Sequence, residues 1–132
     1  MDKLPYVENY QELLVYKKSR QLSQEIYELS KGFPAEEVYS LTSQIRRSSR
    51  SVGAQIAEAW AKRLYKKHFI SKLSDADAEL NETEHWIIIA NNCGYIENTD
   101  KQLIVQTCHE IGRMLGGMIV KADLFCNGNS KN

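Results

Sequence analysis

The sequence of 132 residues lacks any apolar run long enough to cross a membrane. Its strongest apolar segment, Trp86 to Ala90, is far shorter than the roughly 20 residues that a transmembrane helix needs. The first ten residues carry acids and no apolar run, so they do not resemble a secretory signal. These absences predict a cytoplasmic protein without a membrane segment.

Cysteine, proline and glycine are also scarce. The three cysteines, Cys93, Cys108 and Cys126, are odd in number and have no CxxC spacing, which favours reduced thiols over a disulfide framework. There are only two prolines and seven glycines, and the 42% of hydrophobic and 26% of charged residues are typical of an ordered globular chain. At this length we expect one domain, residues 1–132, with its own core.

The sequence shows no complete catalytic or cofactor-binding pattern. Ser48, Ser49 and Ser51 fall within a helical pattern and not on a strand-turn-helix elbow, and no glycine pattern typical of a phosphate-binding loop is present. Glu82 and His85 have the spacing of a carboxylate-bridged di-metal bundle, but the second such pair is missing. We therefore expect a non-enzymatic protein without metal or cofactor, with a metal-dependent bundle enzyme as a remote alternative.

Apolar residues recur at alternating steps of three and four, the period of an amphipathic helix. The pattern and its breaks predict four helices at about residues 10–31, 35–64, 67–92 and 100–125, with loose termini. Four such helices with short connections and no strand pattern predict an all-α, up-down-up-down four-helix bundle. The predicted core contains Leu22, Ile26, Leu29, Ile45, Val52, Ile56, Leu73, Leu80, Ile87, Ile104, Ile111 and Leu115.

Gly53 interrupts the second predicted helix, where glycine costs about 1 kcal/mol relative to alanine. The neighbouring serines and Ala54 make this part of the helix thin. We expect the thin section to pack closely against a neighbouring helix, with a kink or a contact with a partner as the alternatives.

Positive charge is concentrated in the second predicted helix and the connection after it. Residues 40–72 contain eight Lys or Arg and one acid, which leaves nine Lys or Arg and sixteen acids elsewhere in a chain of zero formal net charge. Arginine offers a planar fork of donors suited to phosphates, and lysine offers a mobile point charge. The candidate nucleic-acid-binding residues are therefore Arg46, Arg47, Arg50, Lys62, Arg63, Lys66 and Lys67.

Three aromatic residues near these cations in sequence, Tyr39, Trp60 and Tyr65, are candidates for stacking on unpaired bases. Alternatively, the cations pair with a neighbouring protomer or with the third predicted helix, where residues 75–84 contain five acids. On that alternative the protein is a protein-interaction scaffold whose arginines serve self-association.

Three segments carry a resemblance to a known family. Residues 43–59 read S-Q-I-R-R-S-S-R-S-V-G-A-Q-I-A-E-A, residues 66–73 read K-K-H-F-I-S-K-L, and residues 78–96 read A-E-L-N-E-T-E-H-W-I-I-I-A-N-N-C-G-Y-I. From about Tyr16 to Ile96 the chain resembles the bacterial four-helix-bundle family that includes the 23S rRNA intervening-sequence proteins. The accessory proteins of diversity-generating retroelements look like relatives.

The resemblance implies a four-helix bundle assembled as a homopentamer, because members of this family typically form ring-like pentamers. It also implies a link with RNA or with a nucleic-acid-processing protein, as for some members. The family usually has glycine directly after the I-A-E of the basic helix, whereas this chain has Ala59 followed by Trp60. A close contact or binding surface at that point is therefore not implied for this chain.

Overall fold

The computed structural model describes residues 7–126, and most of them lie in helices. The helices are α1 (Leu14–Ser30), α2 (Leu41–Ala61), α3 (Lys66–Asn92), α4 (Asn98–Val120) and the single turn α5 (Ala122–Phe125). Two short 3-10 turns, Tyr10–Glu12 and Ala35–Glu37, precede α1 and α2. Across residues 7–126 there is no strand, and no helix is long and apolar enough to span a membrane.

Each long helix packs against the next one in the chain, and α4 also packs against α1. Between α1 and α2, Ser30 lies beside Arg46 and Ser19 lies beside Gly53, so these two helices are antiparallel. Contacts that join the beginning of one helix to the end of the next also show that α2 and α3 are antiparallel, and that α3 and α4 are antiparallel. The predicted all-α, up-down-up-down four-helix architecture is therefore confirmed for the described chain.

The core predicted from the helical period is confirmed at every position except Leu29. The other predicted core residues are at most 3% exposed, whereas Leu29 is only partly buried. Phe69 is fully buried and stacks on Phe125 of α5, with the ring centres 6.0 Å apart. The core also contains one polar pair, Ser48 and Thr83, whose hydroxyl oxygens lie 2.9 Å apart and so give each other a buried hydrogen-bond partner.

The second helix begins later than the sequence predicts. Instead of a helix from residue 35, the chain forms a 3-10 turn and then breaks at Ser40 (φ −128°, ψ −99°), before α2 starts at Leu41. Glu37 holds this break, because its carboxylate accepts hydrogen bonds from Ser40 Oγ at 2.7 Å and from Tyr95 Oη at 2.8 Å. The bond from Ser40, followed by that from Tyr95, lowers the pKa of Glu37. The same carboxylate raises the pKa of Tyr95 to about 12.

The other helix ends differ from the prediction by smaller amounts. α2 ends at Ala61 and not near residue 64, since Lys62 leaves the helical conformation (φ −98°, ψ 15°). α1 begins only after Leu13, which is extended (φ −69°, ψ 132°). The fourth predicted helix is divided into α4 and α5 at Lys121 (φ −102°, ψ 30°). Most of the predicted loose termini lies outside the described residues, namely residues 1–6 and 127–132.

Gly53 lies at a close approach between α2 and α1. A Cβ atom at this position would be 3.1 Å from Ser19 Oγ and 3.4 Å from Tyr16 Cε1, so a side chain would force the helices or these groups to move. The expected close packing at this glycine is confirmed. At the corner between α3 and α4, Gly94 has a φ of 80°, a conformation that other residues adopt only with strain.

Replacing Ile56 with alanine should lower the free energy of unfolding by about 2–5 kcal/mol, because the change leaves a cavity in the core. Ile56 is 1% exposed, whereas Val120 is 84% exposed and provides the matched control. For Val120→Ala we expect a change within about 0.5 kcal/mol. Urea denaturation followed by circular dichroism measures both values. Equal changes in the two variants would contradict the assignment of the buried face.

Candidate nucleic-acid interface

The fold divides the seven candidate cations into three groups. Arg46 and Arg50 contact side chains of α1, whereas Arg47 contacts side chains of α3. Arg50 and Lys62 are separated by roughly 18 Å along the chain of α2, at 1.5 Å per residue. The last four cations occupy the connection from α2 to α3 and the first turn of α3: Lys62, Arg63, Lys66 and Lys67. The candidates therefore do not form one continuous surface.

Arg46 and Arg50 lie over the ring of Tyr27 on α1. Their guanidinium carbons are 4.7 and 5.6 Å from the ring centre, and Lys31 Nζ is 4.9 Å from it. Arg46 Nε also donates a hydrogen bond of 2.8 Å to Ser30 Oγ. Within residues 7–126, neither arginine has a carboxylate at ion-pair distance. We call Tyr27, Lys31, Arg46 and Arg50 the Tyr27 cluster.

Arg47 is neutralised by the acidic helix α3. Its Nη2 lies 2.8 Å from Glu82 Oε2 and 3.1 Å from Glu79 Oε1, and its Nη1 lies 3.4 Å from the second Glu79 oxygen. The bonds to Glu82 and then to Glu79 raise the pKa of Arg47. The pKa of Glu82 is lowered, first by the hydrogen bond from Trp86 Nε1 and then by Arg47. For Arg47, the alternative of pairing with acids of the third helix is therefore confirmed.

The cations at the α2–α3 connection differ in their partners. Lys66 Nζ lies 2.9 Å from Asp123 Oδ1 of α5. Arg63 Nε donates to the carbonyl oxygen of Trp60 at 2.7 Å, and its guanidinium carbon lies 3.5 Å from the centre of the Trp60 ring. The corner pair, Lys62 and Lys67, is exposed and has no carboxylate at ion-pair distance in the part of the chain that the structure describes.

The aromatic residues proposed to stack on bases differ in how accessible they are. Arg63 covers one face of the Trp60 ring, and Trp60 is partly buried against the core. Tyr65 is 52% exposed beside the corner pair, with its ring centre 5.4 Å from that of His68. Tyr39 is 93% exposed but precedes α2. Tyr65 thus combines an open ring with nearby unpaired cations, which Trp60 does not.

The Glu82 and His85 pair does not have a ligand arrangement. Glu82 binds Arg47 and Trp86, and the exposed His85 places its ring against the edge of Trp86 with 4.7 Å between the ring centres. No group of three or more His, Cys, Asp or Glu suited to a metal ion occurs in residues 7–126. The engagement of Glu82 by a cation and an indole argues against a di-metal site on this helix face.

The cysteine thiols are poor nucleophiles where they are buried. Burial, with a smaller contribution from Glu84, raises the pKa of Cys108 to about 12. Burial is also the largest cause of the raised pKa of Cys126. All three cysteines are free thiols. Because the thiolate is the reactive form, the shift makes Cys108 inert near neutral pH.

The surroundings of Arg46 and Arg50 were not predicted from the sequence. Both arginines lie over the ring of Tyr27, and Ser30 accepts a hydrogen bond from Arg46. Lys31 is a third cation over the same ring. Tyr27 and Lys31 are four residues apart, a spacing that places their side chains together on a helix face. That part of the arrangement is visible in the sequence. The contacts with Arg46 and Arg50 depend on how α1 and α2 align, which the sequence of either helix alone does not determine.

The chain is similar to known proteins over most of its length. A family model described as 23S rRNA-intervening sequence protein matches residues 11–117, which include the three segments of the sequence resemblance. Among solved structures, a protein of unknown function from the S23 ribosomal protein family of Bacteroides thetaiotaomicron is 33% identical, with a TM-score of 0.72. That similarity covers 80% of this chain and 98% of the other. No curated protein shows significant similarity to this chain. Neither matching description indicates an enzymatic activity.

Replacing Arg47 with glutamine should lower the free energy of unfolding by about 0.5–1 kcal/mol at neutral pH, because the ion pair it breaks is only partly buried. A carboxylate with a lowered folded-state pKa stabilises the fold above its unfolded pKa and loses that effect as pH falls. The difference from the unmodified chain should therefore shrink as pH falls below the ordinary carboxyl value of 4.5.

Urea denaturation at neutral pH and at about pH 3 measures this change. Arg50→Gln is the matched control, since Arg50 has no carboxylate at ion-pair distance within residues 7–126. A loss of stability in Arg47→Gln that is the same at both pH values would contradict the ion-pair account.

Proposed function

The chain belongs to the 23S rRNA-intervening sequence protein family, and from this premise we propose that it is a non-enzymatic RNA-binding protein. The proposed interface consists of two sites on the basic part of the chain, the Tyr27 cluster and the corner pair. The other three candidate cations are engaged within the chain and are not part of the proposed interface: Arg47, Arg63 and Lys66.

The observation that carries this proposal is that neighbouring cations have different partners. Arg47 is neutralised by two carboxylates and Lys66 by one. Arg46, Arg50 and the corner pair have no carboxylate at ion-pair distance in residues 7–126. Unpaired cations keep a positive potential that attracts a polyanion, whereas an internal ion pair cancels most of it. Because the formal net charge of the chain is zero, this attraction is local and not a property of the whole surface.

The names of the relatives support RNA as the polyanion. One description refers to 23S rRNA, and the similar crystal structure belongs to the S23 ribosomal protein family. Two of the aromatic rings are covered by cations, because Arg63 lies over Trp60 and three cations surround Tyr27, which favours contacts with phosphates at these positions. Tyr65, beside the corner pair, remains open to a base. Phosphate contacts position a protein on a nucleic acid with little dependence on base sequence. We therefore propose recognition of RNA mainly through its backbone.

Binding of single-stranded RNA should weaken steeply as salt increases, because each phosphate contact releases condensed counterions. Lys67→Gln should flatten the slope of log affinity against log salt by roughly 0.7, the value for one phosphate contact on a single strand. Lys66→Gln is the matched control one residue away, and we expect a smaller effect because Asp123 already neutralises that lysine. Fluorescence anisotropy over a salt series, with RNAs of several sequences, measures the slopes.

These binding data, together with the oligomeric state of charge-reversed variants, separate RNA binding from its rivals. Similar affinities across RNA sequences, with the larger change in Lys67→Gln, support the proposal. Binding that is absent, or that does not respond to salt, would contradict it. If charge reversal of Arg46 and Arg50 dissociates an oligomer and the unmodified chain does not bind RNA, these arginines are intersubunit contacts.

A second candidate function is a protein-interaction scaffold, which a separate observation favours. Four large apolar side chains at the α2–α3 connection, at the end of α4 and in α5 are 51–84% exposed: Leu64, Tyr65, Val120 and Leu124. Single exposed apolar residues are ordinary on protein surfaces. Several at the same end of a bundle are typical of a surface that contacts another chain. The ion pairs between Arg47 and α3 are compatible with this function, whereas RNA binding does not require them.

We also propose that the chain forms a homopentamer in the bacterial cytoplasm, and that it is related to accessory proteins of diversity-generating retroelements. Support for the pentamer comes from the sequence resemblance and from smooth, exposed positions on α4. A Cβ atom added at Gly116 or Gly117 would meet no atom within 4 Å, so another chain has room to approach there.

Sedimentation equilibrium at micromolar protein should give a mass about five times the chain mass of 15.2 kDa, because a closed ring of five copies pairs two different, complementary surfaces of every copy. Gly117→Arg is the informative variant, since a long cation at an open helix position should obstruct a close contact between chains while sparing the fold. A monomeric unmodified chain would contradict self-association. A dimeric mass would agree with self-association but contradict the pentamer.

A further inference from the structure

The Tyr27 cluster concentrates positive charge in a way that suits a doubly charged anion. Three cationic groups lie 4.7, 4.9 and 5.6 Å from the centre of one neutral ring. The face of an aromatic ring attracts a cation but carries no net charge, so it reduces the repulsion between the three groups without cancelling it. The three cations therefore retain most of their combined field.

The acids near the cluster do not balance it. Glu28 is the carboxylate that contacts the cluster in residues 7–126, and its Oε1 lies 3.2 Å from Lys31 Nζ on the exposed surface of α1. Gln24 Nε2 donates to the other oxygen of Glu28 at 3.3 Å. Three cations and one carboxylate leave two formal positive charges at the site. Arg47, one residue from Arg46, differs because two carboxylates surround it.

The guanidinium of Arg46 is oriented before any ligand binds. Ser30 Oγ accepts a 2.8 Å hydrogen bond from Arg46 Nε and so fixes the plane of that guanidinium. No hydrogen bond engages the terminal Nη groups of Arg46 within residues 7–126. Ser30 is itself buried and hydrogen-bonds the carbonyl oxygen of Tyr27 at 3.1 Å. A guanidinium with its terminal donors open is the group that binds phosphate oxygens most effectively.

We propose that the Tyr27 cluster binds a terminal phosphate monoester of RNA, which deepens the proposed function and rests on it. An internal phosphodiester carries one negative charge, whereas a phosphate monoester carries about 1.5 to 2 at neutral pH and offers three acceptor oxygens. The excess of two positive charges matches the monoester better than the diester. The corner pair, whose Lys62 is roughly 18 Å from Arg50 along α2, then contacts internal phosphates of the same strand.

The test compares three short single-stranded RNAs of one sequence, each with an internal fluorophore. One carries a 5′-phosphate, one carries a 3′-phosphate, and one has hydroxyl groups at both ends. We expect one phosphorylated form to bind about tenfold more tightly than the hydroxyl form, a difference of about 1.4 kcal/mol. Which form binds more tightly identifies the end that is recognised.

The variants assign the preference to residues. Arg46→Gln and Arg50→Gln should each abolish the preference for the phosphorylated RNA, because each removes a charge of the cluster. Arg47→Gln is the matched control on the same helix and should keep the preference, since its charge is already neutralised. Lys67→Gln should weaken the binding of all three RNAs by the same factor. Circular dichroism confirms that each variant is folded.

Two outcomes overturn the terminal-phosphate site. Salt-sensitive binding that is equal for the three RNAs would reject it and leave the proposed function standing. If none of the RNAs binds, the proposed function fails, and uridine monophosphate and uridine then test the site alone by NMR. Shifts of the Tyr27 ring signals with the monophosphate but not with the nucleoside would support a phosphate monoester site. No shift with either compound would overturn it.

Discussion

The close packing of α2 between α1 and α3 is the constraint on which the rest of the structure depends. α2 is the helix that carries the basic residues, and it is flanked by neighbours on two sides. Its inward face combines apolar residues such as Val52 and Ile56 with the buried small polar residues Ser48 and Ser49. Gly53 allows α1 to approach to a distance at which a Cβ atom would be crowded. The arginines of α2 therefore lie at its two seams and on its outer surface.

Packing on both sides gives adjacent arginines different environments. Successive residues on an α-helix point about 100° apart, so Arg46 and Arg47 meet different helices. The first contacts Tyr27 and Ser30 of α1, and the second contacts Glu79 and Glu82 of α3. Since α3 is acidic and the adjoining face of α1 provides an aromatic ring and a lysine, one arginine is neutralised and the other is not. The same fold therefore supplies a stabilising ion pair and an unpaired cationic site from neighbouring residues.

Features that depend on local interactions can be predicted from the sequence, whereas features that depend on contacts between distant residues cannot. The core is predictable because burial follows the local period of each helix, as Ile45, Val52 and Ile56 illustrate. The start of α2 is not predictable, because the break in the chain before it depends on a hydrogen bond between Glu37 and Tyr95, which are 58 residues apart. The cations are recognisable by residue type, but their partners depend on how the helices align. The role of Tyr27 is missed for that reason, since its contacts with Arg46 and Arg50 cross between helices.

RNA crosslinking in the native cell tests the central claim of RNA binding most directly. The protein is crosslinked by ultraviolet light and purified under denaturing conditions, and the peptides that carry RNA are identified by mass spectrometry. RNA-bearing peptides are expected from residues 27–31 and 40–72, with recovery that falls when Arg46, Arg50, Lys62 and Lys67 are all changed to glutamine in a folded chain. Recovery of the protein with no RNA above the level of an uncrosslinked sample, or equal recovery from the quadruple variant, would contradict it.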